Sequence, residues 1–324
     1  MAKARALEER LAALSELRSD PTSSTAIEKL RKALASKVSH LVAKAAQIVG
    51  ESEIDQLIPE LVDAFDRFMT HPTKSDKGCG AKAAIAHALY QVGYDREGVY
   101  LRGIHHVQME PVYGGSVDTA AVLRGSSALG LVRMNYPQVI IELAHLLADD
   151  QATARVAATR AIAYAQRAEE GVPLLRFKIL GGDEDSQVLC ECFEALLKLA
   201  PSSSLPFVAK YLDHRDPEMS EAAVMALGQS RLKDAFDILK RWWQESSDPV
   251  LRRTALTAIA MLRHEAAIEF LLSLVAGDSE SVAGDALTAL AMYRHDEGLR
   301  RRVEQTADRR DDIDLGPPIA RAFV

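Results

Sequence analysis

The residues best suited to chemistry lie together in HHVQMEPVYGGSVDTAAVLRG, His105 to Gly125, within a chain that is otherwise rich in alanine and leucine. His106 and Glu110 share a face in either regular backbone. A helix aligns i with i+4, and a strand aligns i, i+2 and i+4, which brings Gln108 to the same side. Imidazole and carboxylate suit zinc or iron, so His106 and Glu110, with His105 beside them, are candidate metal ligands. They are too few for a closed site, and the only other histidine nearby in sequence is His87. A second reading makes the stretch a polar loop for a partner or ligand, with Arg102, His105, His106, Gln108, Glu110, Tyr113 and Arg124 as binding residues. Tyr113-Gly114-Gly115 would then be the turn, and Arg102 and Arg124, each in a Leu-Arg-Gly context, would brace Glu110 or Asp118. A third reading, a spacer with solvated histidines, stays open.

Three other places invite the same question. SDKGCGAK, Ser75 to Lys82, sets glycines and lysines before a helix, where backbone amides can receive a phosphate. It lacks the Gly-Lys-Ser/Thr ending of a P-loop and no strand precedes it, so an inter-repeat loop is the plainer reading. Trp243 continues the stripe Leu232, Phe236, Leu239 and belongs to the core. Trp242 lies about 100° round the helix and reads either as a partly exposed interface anchor or, more simply, as packed against the neighbouring pair. The cysteines Cys79, Cys190 and Cys192 are odd in number and form no disulfide framework; they read as small buried hydrophobes in a reducing compartment.

The elements that position these residues are set by a repeat. An Ala followed by Leu or Ile recurs at Ala88, Ala128, Ala161, Ala195, Ala226, Ala258 and Ala289, at intervals of 40, 33, 34, 31, 32 and 31 residues. Most units open on an acidic turn: Asp149-Asp150, Asp183 to Asp185, Asp216-Pro217, Asp248-Pro249, Asp278-Ser279. Asp suits the N-cap and Pro suits the first helical position. A second apolar helix follows each Ala-Leu helix, as in LKDAFDILKRWWQES and EAAIEFLLSLVAGD. Each unit is therefore two antiparallel helices that bury their apolar faces only by stacking on neighbours. The expected fold is all-α, an α-solenoid of about seven units plus N-terminal helices. The 40-residue interval holds an insertion near 100–118, and insertions in such arrays fall at turns, often on the binding face.

These units resemble HEAT repeats of the short bacterial form, most clearly in Asp248-Pro249-Val250-Leu251-Arg252-Arg253-Thr254-Ala255 and Ala226-Leu227-Gly228. The resemblance covers about 75–308 and implies fold more than activity, because scaffolds, adaptors and some enzymes share it. His264-Glu265 is similar to the dipeptides that hold two irons in deoxyhypusine hydroxylase, itself of this type. That enzyme implies several such pairs, whereas here the next repeat has His295-Asp296. Arg263-His264 and Arg294-His295 read instead as cations at the negative ends of first helices, followed by acids that open the next ones.

Residues 1–75 read as a helical cap or degenerate repeats, 76–308 as the array, and 309–324 as a charged, then Gly-Pro-Pro, tail. The opening MAKARALEERLAALSELRSD is an amphipathic helix with Leu7, Leu11, Leu14 and Leu17 on one face, not a secretory segment. No stretch reaches the roughly 20 apolar residues that cross a bilayer, so a cytoplasmic protein is expected. A net charge of −7 argues against nucleic acid and anionic lipid as partners. The expected function is a non-catalytic scaffold for a protein or peptide, without a cofactor. The alternatives are a metal-dependent or bilin-lyase-like repeat enzyme and, below those, a DNA-repair glycosylase-like protein.

Overall fold

The computed structural model describes residues 2–310, 312 and 314–323, and it divides into two compact units, 1–171 and 172–324. Its regular structure is helical apart from one hairpin. In the first unit the first helices of successive pairs are Ser39–Glu51, Gly80–Gln91, Ala121–Arg133 and Ala152–Ala165. Ile58–Met69, Glu97–Ile104 and Val139–Leu147 follow the first three as second helices. Ala2–Glu16 and Ser24–Leu34 precede them, and both pack on Ser39–Glu51. In the second unit the pairs are Ser186–Leu199 with Pro201–Ala209, Pro217–Ser230 with Lys233–Glu245, Pro249–Met261 with Glu265–Gly277, and Glu280–Leu290 with Glu297–Ala307. Ala168–Gly181 spans the boundary, and Gly316–Ala322 packs on Glu280–Leu290.

First helices stack on first helices, and small residues set how closely. The seven alanines of the repeat are all buried. A Cβ added to Gly50 would lie 2.8 Å from Ala88 Cα, one on Gly125 2.6 Å from Ala157 Cβ, and one on Gly228 2.7 Å from Ala258 Cα. These helices touch backbone to backbone, which only Gly and Ala permit.

The acidic turns are helix caps. Asp185, Asp216 and Asp248 accept the amides of Gln187, Glu218 and Val250, and in the last pair Ser279, rather than Asp278, accepts from Val282. The opposite ends close in left-handed residues without glycine: Asn135, Gln166, Arg231 and Arg263 have φ between 54° and 59°. His264 Nε2 lies 2.7 Å from the Arg231 carbonyl oxygen. It thereby satisfies a terminal acceptor of the preceding first helix. Asp296 caps the Leu299 amide. The RHEAA motif and its echo are thus absorbed by helix ends.

Two glycines of the second unit give opposite expectations. Gly284 lies inside Glu280–Leu290 with nothing within 4 Å of its missing Cβ, so Gly284→Ala should stabilise by about 0.5–1 kcal/mol through helix propensity. Gly228→Ala should destabilise by roughly 1–3 kcal/mol, because two backbones must part. Urea midpoints of the two variants should move in opposite directions from the wild type.

Candidate functional site

The insertion folds as a hairpin. Helix Glu97–Ile104 ends at His105, and β1 (Met109–Val112) pairs antiparallel with β2 (Gly115–Asp118), Met109 opposite Asp118 and Val112 opposite Gly115. The turn is Tyr113-Gly114, one residue shorter than expected, because Gly115 already opens β2. Gly114, at φ 87°, takes the left-handed seat of that turn. Residues flanking a two-residue turn exchange the closing hydrogen bonds, so the backbone groups of Val112 and Glu110 point to β2 and those of Pro111 point away from it. Proline, lacking an N–H, is tolerated only at such an edge position.

A hairpin of two strands is marginal in water by itself; this one is held by a buried polar base. Glu110 Oε1 accepts from the Gly78 amide at 2.6 Å, Gln108 Nε2 at 2.6 Å and Thr119 Oγ1 at 3.1 Å. Gln108 Nε2 also donates to the Asp76 carbonyl at 2.8 Å, and the Gln108 amide to Asp118 Oδ1 at 2.9 Å. With its nitrogen so engaged, Gln108 turns its oxygen to His106 Nε2, 3.3 Å away, which assigns the proton to that ring nitrogen. His106, Gln108 and Glu110 are therefore linked in series, as extended spacing predicts.

Two buried cations, in three ion pairs, close the base. Asp76 and Lys82 are fully buried and 3.0 Å apart, and the Asp76 carboxylate also accepts the Ala81 and Lys82 amides at 3.0 and 2.9 Å. Those are the amides of Ser75 to Lys82 that looked open to a phosphate; Asp76 occupies them, and Gly78 and Cys79 in left-handed conformations fold the turn tightly over it. Arg124 is buried between Asp118 (Nη1 to Oδ2, 2.7 Å) and Asp149 (Nη2 to Oδ1, 2.8 Å; Nε to Oδ2, 2.7 Å), and it donates to the His106 carbonyl at 2.9 Å. Bracing by Arg124 thus falls on Asp118. Arg102 stands apart, 2.5 Å from Asp66 and over the Phe65 ring.

The charges follow this wiring. Burial alone would raise Glu110, but hydrogen bonds from Gln108, Gly78 and Thr119 outweigh it and hold the carboxyl below its ordinary range. Burial likewise opposes ionisation of Asp118, and the Gln108 and Ala120 amides with Arg124 bring it down. Burial lowers His106, which favours the neutral imidazole. No three His, Cys, Asp or Glu side chains are grouped to hold a metal among the described residues. Glu110 Oε1 accepts from Gly78, Gln108 and Thr119, and His106 Nε2 faces Gln108.

The remaining candidates separate by exposure. His105 is exposed, its Nε2 2.9 Å from Glu142 Oε2. Tyr113 is fully exposed at the tip, and Val107, Met109, Val112 and Val117 are exposed along the hairpin. Of the two readings of Trp242, the structure has it packed on a neighbouring pair and not exposed as an anchor: it is buried to 6% exposure, and its Nε1 donates to Asp213 Oδ1 at 2.9 Å. Trp243 is buried against Phe270, as its stripe requires. The base residues missed in sequence were Asp76, Gly78, Lys82 and Thr119. Asp76 carried the signal already used for later units, an acid just before a first helix.

Acid should loosen the base. A carboxyl held low contributes stability in full above its unfolded pKa and loses it as the pH falls through the folded one. Glu110→Gln keeps the accepting oxygen but not the charge, so the wild type should exceed it by roughly 1–2 kcal/mol at pH 7. That advantage should shrink as the pH falls below about 4.5, as read from urea midpoints across pH. Arg124→Ala leaves two carboxylates unpaired and should cost about 3 kcal/mol or more at pH 7.

The model of the family described as HEAT repeats matches residues 172–255. Among solved structures, the complex of CpcE and CpcF of phycocyanin lyase from Nostoc sp. PCC7120 is similar at 18% identity and TM-score 0.38, over 70% of this chain and 88% of that one. Human deoxyhypusine hydroxylase in complex with glycerol is similar at 18% identity and TM-score 0.31, over 80% and 91%. A search of the curated proteins finds no match. At these scores the two structural likenesses carry nothing about activity, and the assignment rests on the family match and the helix pairs: residues 172–255 are HEAT repeats within an all-α chain of stacked helix pairs.

Proposed function

We propose that the chain is a non-catalytic scaffold that binds a protein or peptide partner through the hairpin. The observation that carries this is the contrast between its two ends: a buried polar base ties it to the turns at Asp76 and Asp149, and its apolar tip is exposed. Tyr113 is the natural anchor, since a rigid aromatic gives large contact area at small entropic cost. Val112, Met109 and Val117 extend the apolar surface and His105 adds a polar contact at its foot. His106, Gln108, Glu110 and Arg124 act by positioning the hairpin, not by touching the partner. Stacked helix pairs suit such a role, because they display surface on a rigid frame. No helix among the described residues is long and apolar enough to cross a membrane, and the partner is taken to be a protein in solution.

Replacing both tip residues, Val112→Ser with Tyr113→Ser, removes exposed apolar atoms only, so melting should not change. A photo-crosslinking phenylalanine at position 113 should capture one partner from host lysate. The double variant should bind that purified partner about tenfold or more weakly, the effect of losing an anchor worth over 1 kcal/mol. Undiminished binding by the variant, or no discrete crosslinked species, would remove the hairpin from this role.

A further inference from the structure

Three successive first helices of the second unit end in arginine. Pro217–Ser230 is followed by Arg231, Pro249–Met261 by Leu262 and Arg263, and Glu280–Leu290 by a short 3-10 turn and Arg294. All three arginines are exposed. Arg231 and Arg263, at φ 54° and 59°, take left-handed seats, where glycine or asparagine costs less than a residue with a long side chain. Asn135 takes such a seat in the first unit. Local folding therefore does not call for arginine at these positions, and a cation in the last helical turn would serve the helix dipole as well.

Their guanidiniums are free. Among the described residues neither Arg231 nor Arg263 forms an ion pair or a side-chain hydrogen bond, and Arg294 donates only to its neighbour His295, at 3.3 Å. The chain has 46 acidic residues against 39 basic ones, and Arg253, Arg300, Arg301 and Arg302 of the same unit are all engaged by carboxylates. Contacts between successive pairs set the three arginines along one edge. His264 Nε2 lies 2.7 Å from the Arg231 carbonyl oxygen, and the Tyr293 hydroxyl donates to the Ala260 carbonyl one pair earlier. Burial pushes the Tyr293 phenol up, and the charges of Arg263 and Arg231 both pull against that rise. The acids of these turns are engaged: Glu265 pairs with Arg302, Glu297 pairs with Arg301, and Asp296 caps the Leu299 amide. Asp234 is offset by its neighbour Lys233.

We infer that this edge binds an extended acidic segment of a protein partner, with one carboxylate to each arginine. Packed helices lie about 10 Å apart. A polyproline-II chain has three residues per turn and rises roughly 3.1 Å per residue, so acids at every third position share one side at about 9 Å spacing. The guanidinium fork matches a carboxylate in two parallel hydrogen bonds. Nucleic acid fits less well, because its phosphates follow at every step and the carboxylates of Glu265 and Asp296 come directly after the arginines in these turns. The inference uses none of the hairpin residues and goes beyond the role proposed for them.

The probe is a fluorescein-labelled peptide of five Glu-Pro-Pro repeats, mixed with the full chain and followed by fluorescence anisotropy. Wild type should bind it saturably, more weakly as salt rises, and should not bind the Gln-Pro-Pro counterpart. Arg231→Asn with Arg263→Asn installs the residue that Asn135 already places in a left-handed seat, so melting should not fall. Binding by that variant should weaken about fivefold or more, the loss of charged hydrogen bonds. Arg215→Gln with Arg241→Gln removes two other exposed cations of the same unit and should bind as the wild type does, which separates this edge from diffuse attraction. No saturable binding to the wild type, equal binding of the Gln-Pro-Pro peptide, or equal losses in the two variants would overturn the inference. Unchanged affinity in the asparagine variant would do the same, and so would tighter binding of an oligothymidylate of equal charge.

Discussion

The rest of the structure depends on the contact of first helix with first helix through residues that have almost no side chain. Gly50 against Ala88, Gly125 against Ala157 and Gly228 against Ala258 bring backbones so close that a single methyl group would meet main-chain or Cβ atoms within 3 Å. Such a seam tolerates no inserted residue within the helices, because one extra position rotates every small side chain by about 100° away from its partner. The repeat interval is therefore kept by packing, and chain length varies only in the turns. The hairpin sits at the one turn where the interval widens to 40 residues.

Adding chain at a turn creates a problem of dehydration that the hairpin base solves. Glu110, Asp76, Lys82 and Arg124 are all buried, and each would be costly alone. They are tolerated because every charge meets an opposite charge or several hydrogen bonds: Lys82 on Asp76, Arg124 between Asp118 and Asp149, Glu110 under three donors. Buried ion pairs add little net stability over apolar packing, but they penalise displacement, since moving one partner strands the other. The base thereby fixes where the hairpin points, while the apolar core of the helices supplies cohesion. Position and stability come from different residues.

The helix pairs were legible in sequence because their signals are local and repeated: the Ala-Leu period, the acid at the N-cap, the apolar second helix. The spacing of His106, Gln108 and Glu110 also revealed their common face, since period-two alternation depends on three positions alone. What was not legible is what that face meets. Gly78 and Asp76 lie 32 residues before Glu110 and Gln108 in the chain, and only the stacking of the pairs brings them together. The same holds for Trp242, whose position on the helical wheel left anchor and packing both open and could not name Asp213 as the partner of its indole. Glu110 shows the limit most clearly: its spacing from His106 gave no hint of the three donors that converge on one of its oxygens.

Pro111 gives the hairpin two unlike borders. On β2 the outward amide of Ser116 is intact, whereas on β1 the corresponding place has no N–H to offer. If two such hairpins met edge to edge through β2, the resulting four-stranded sheet would carry Pro111 on both outer borders. Growth would end at two copies, so an exposed ribbon with a valine-rich surface can persist at the turn of a repeat array without seeding a fibre.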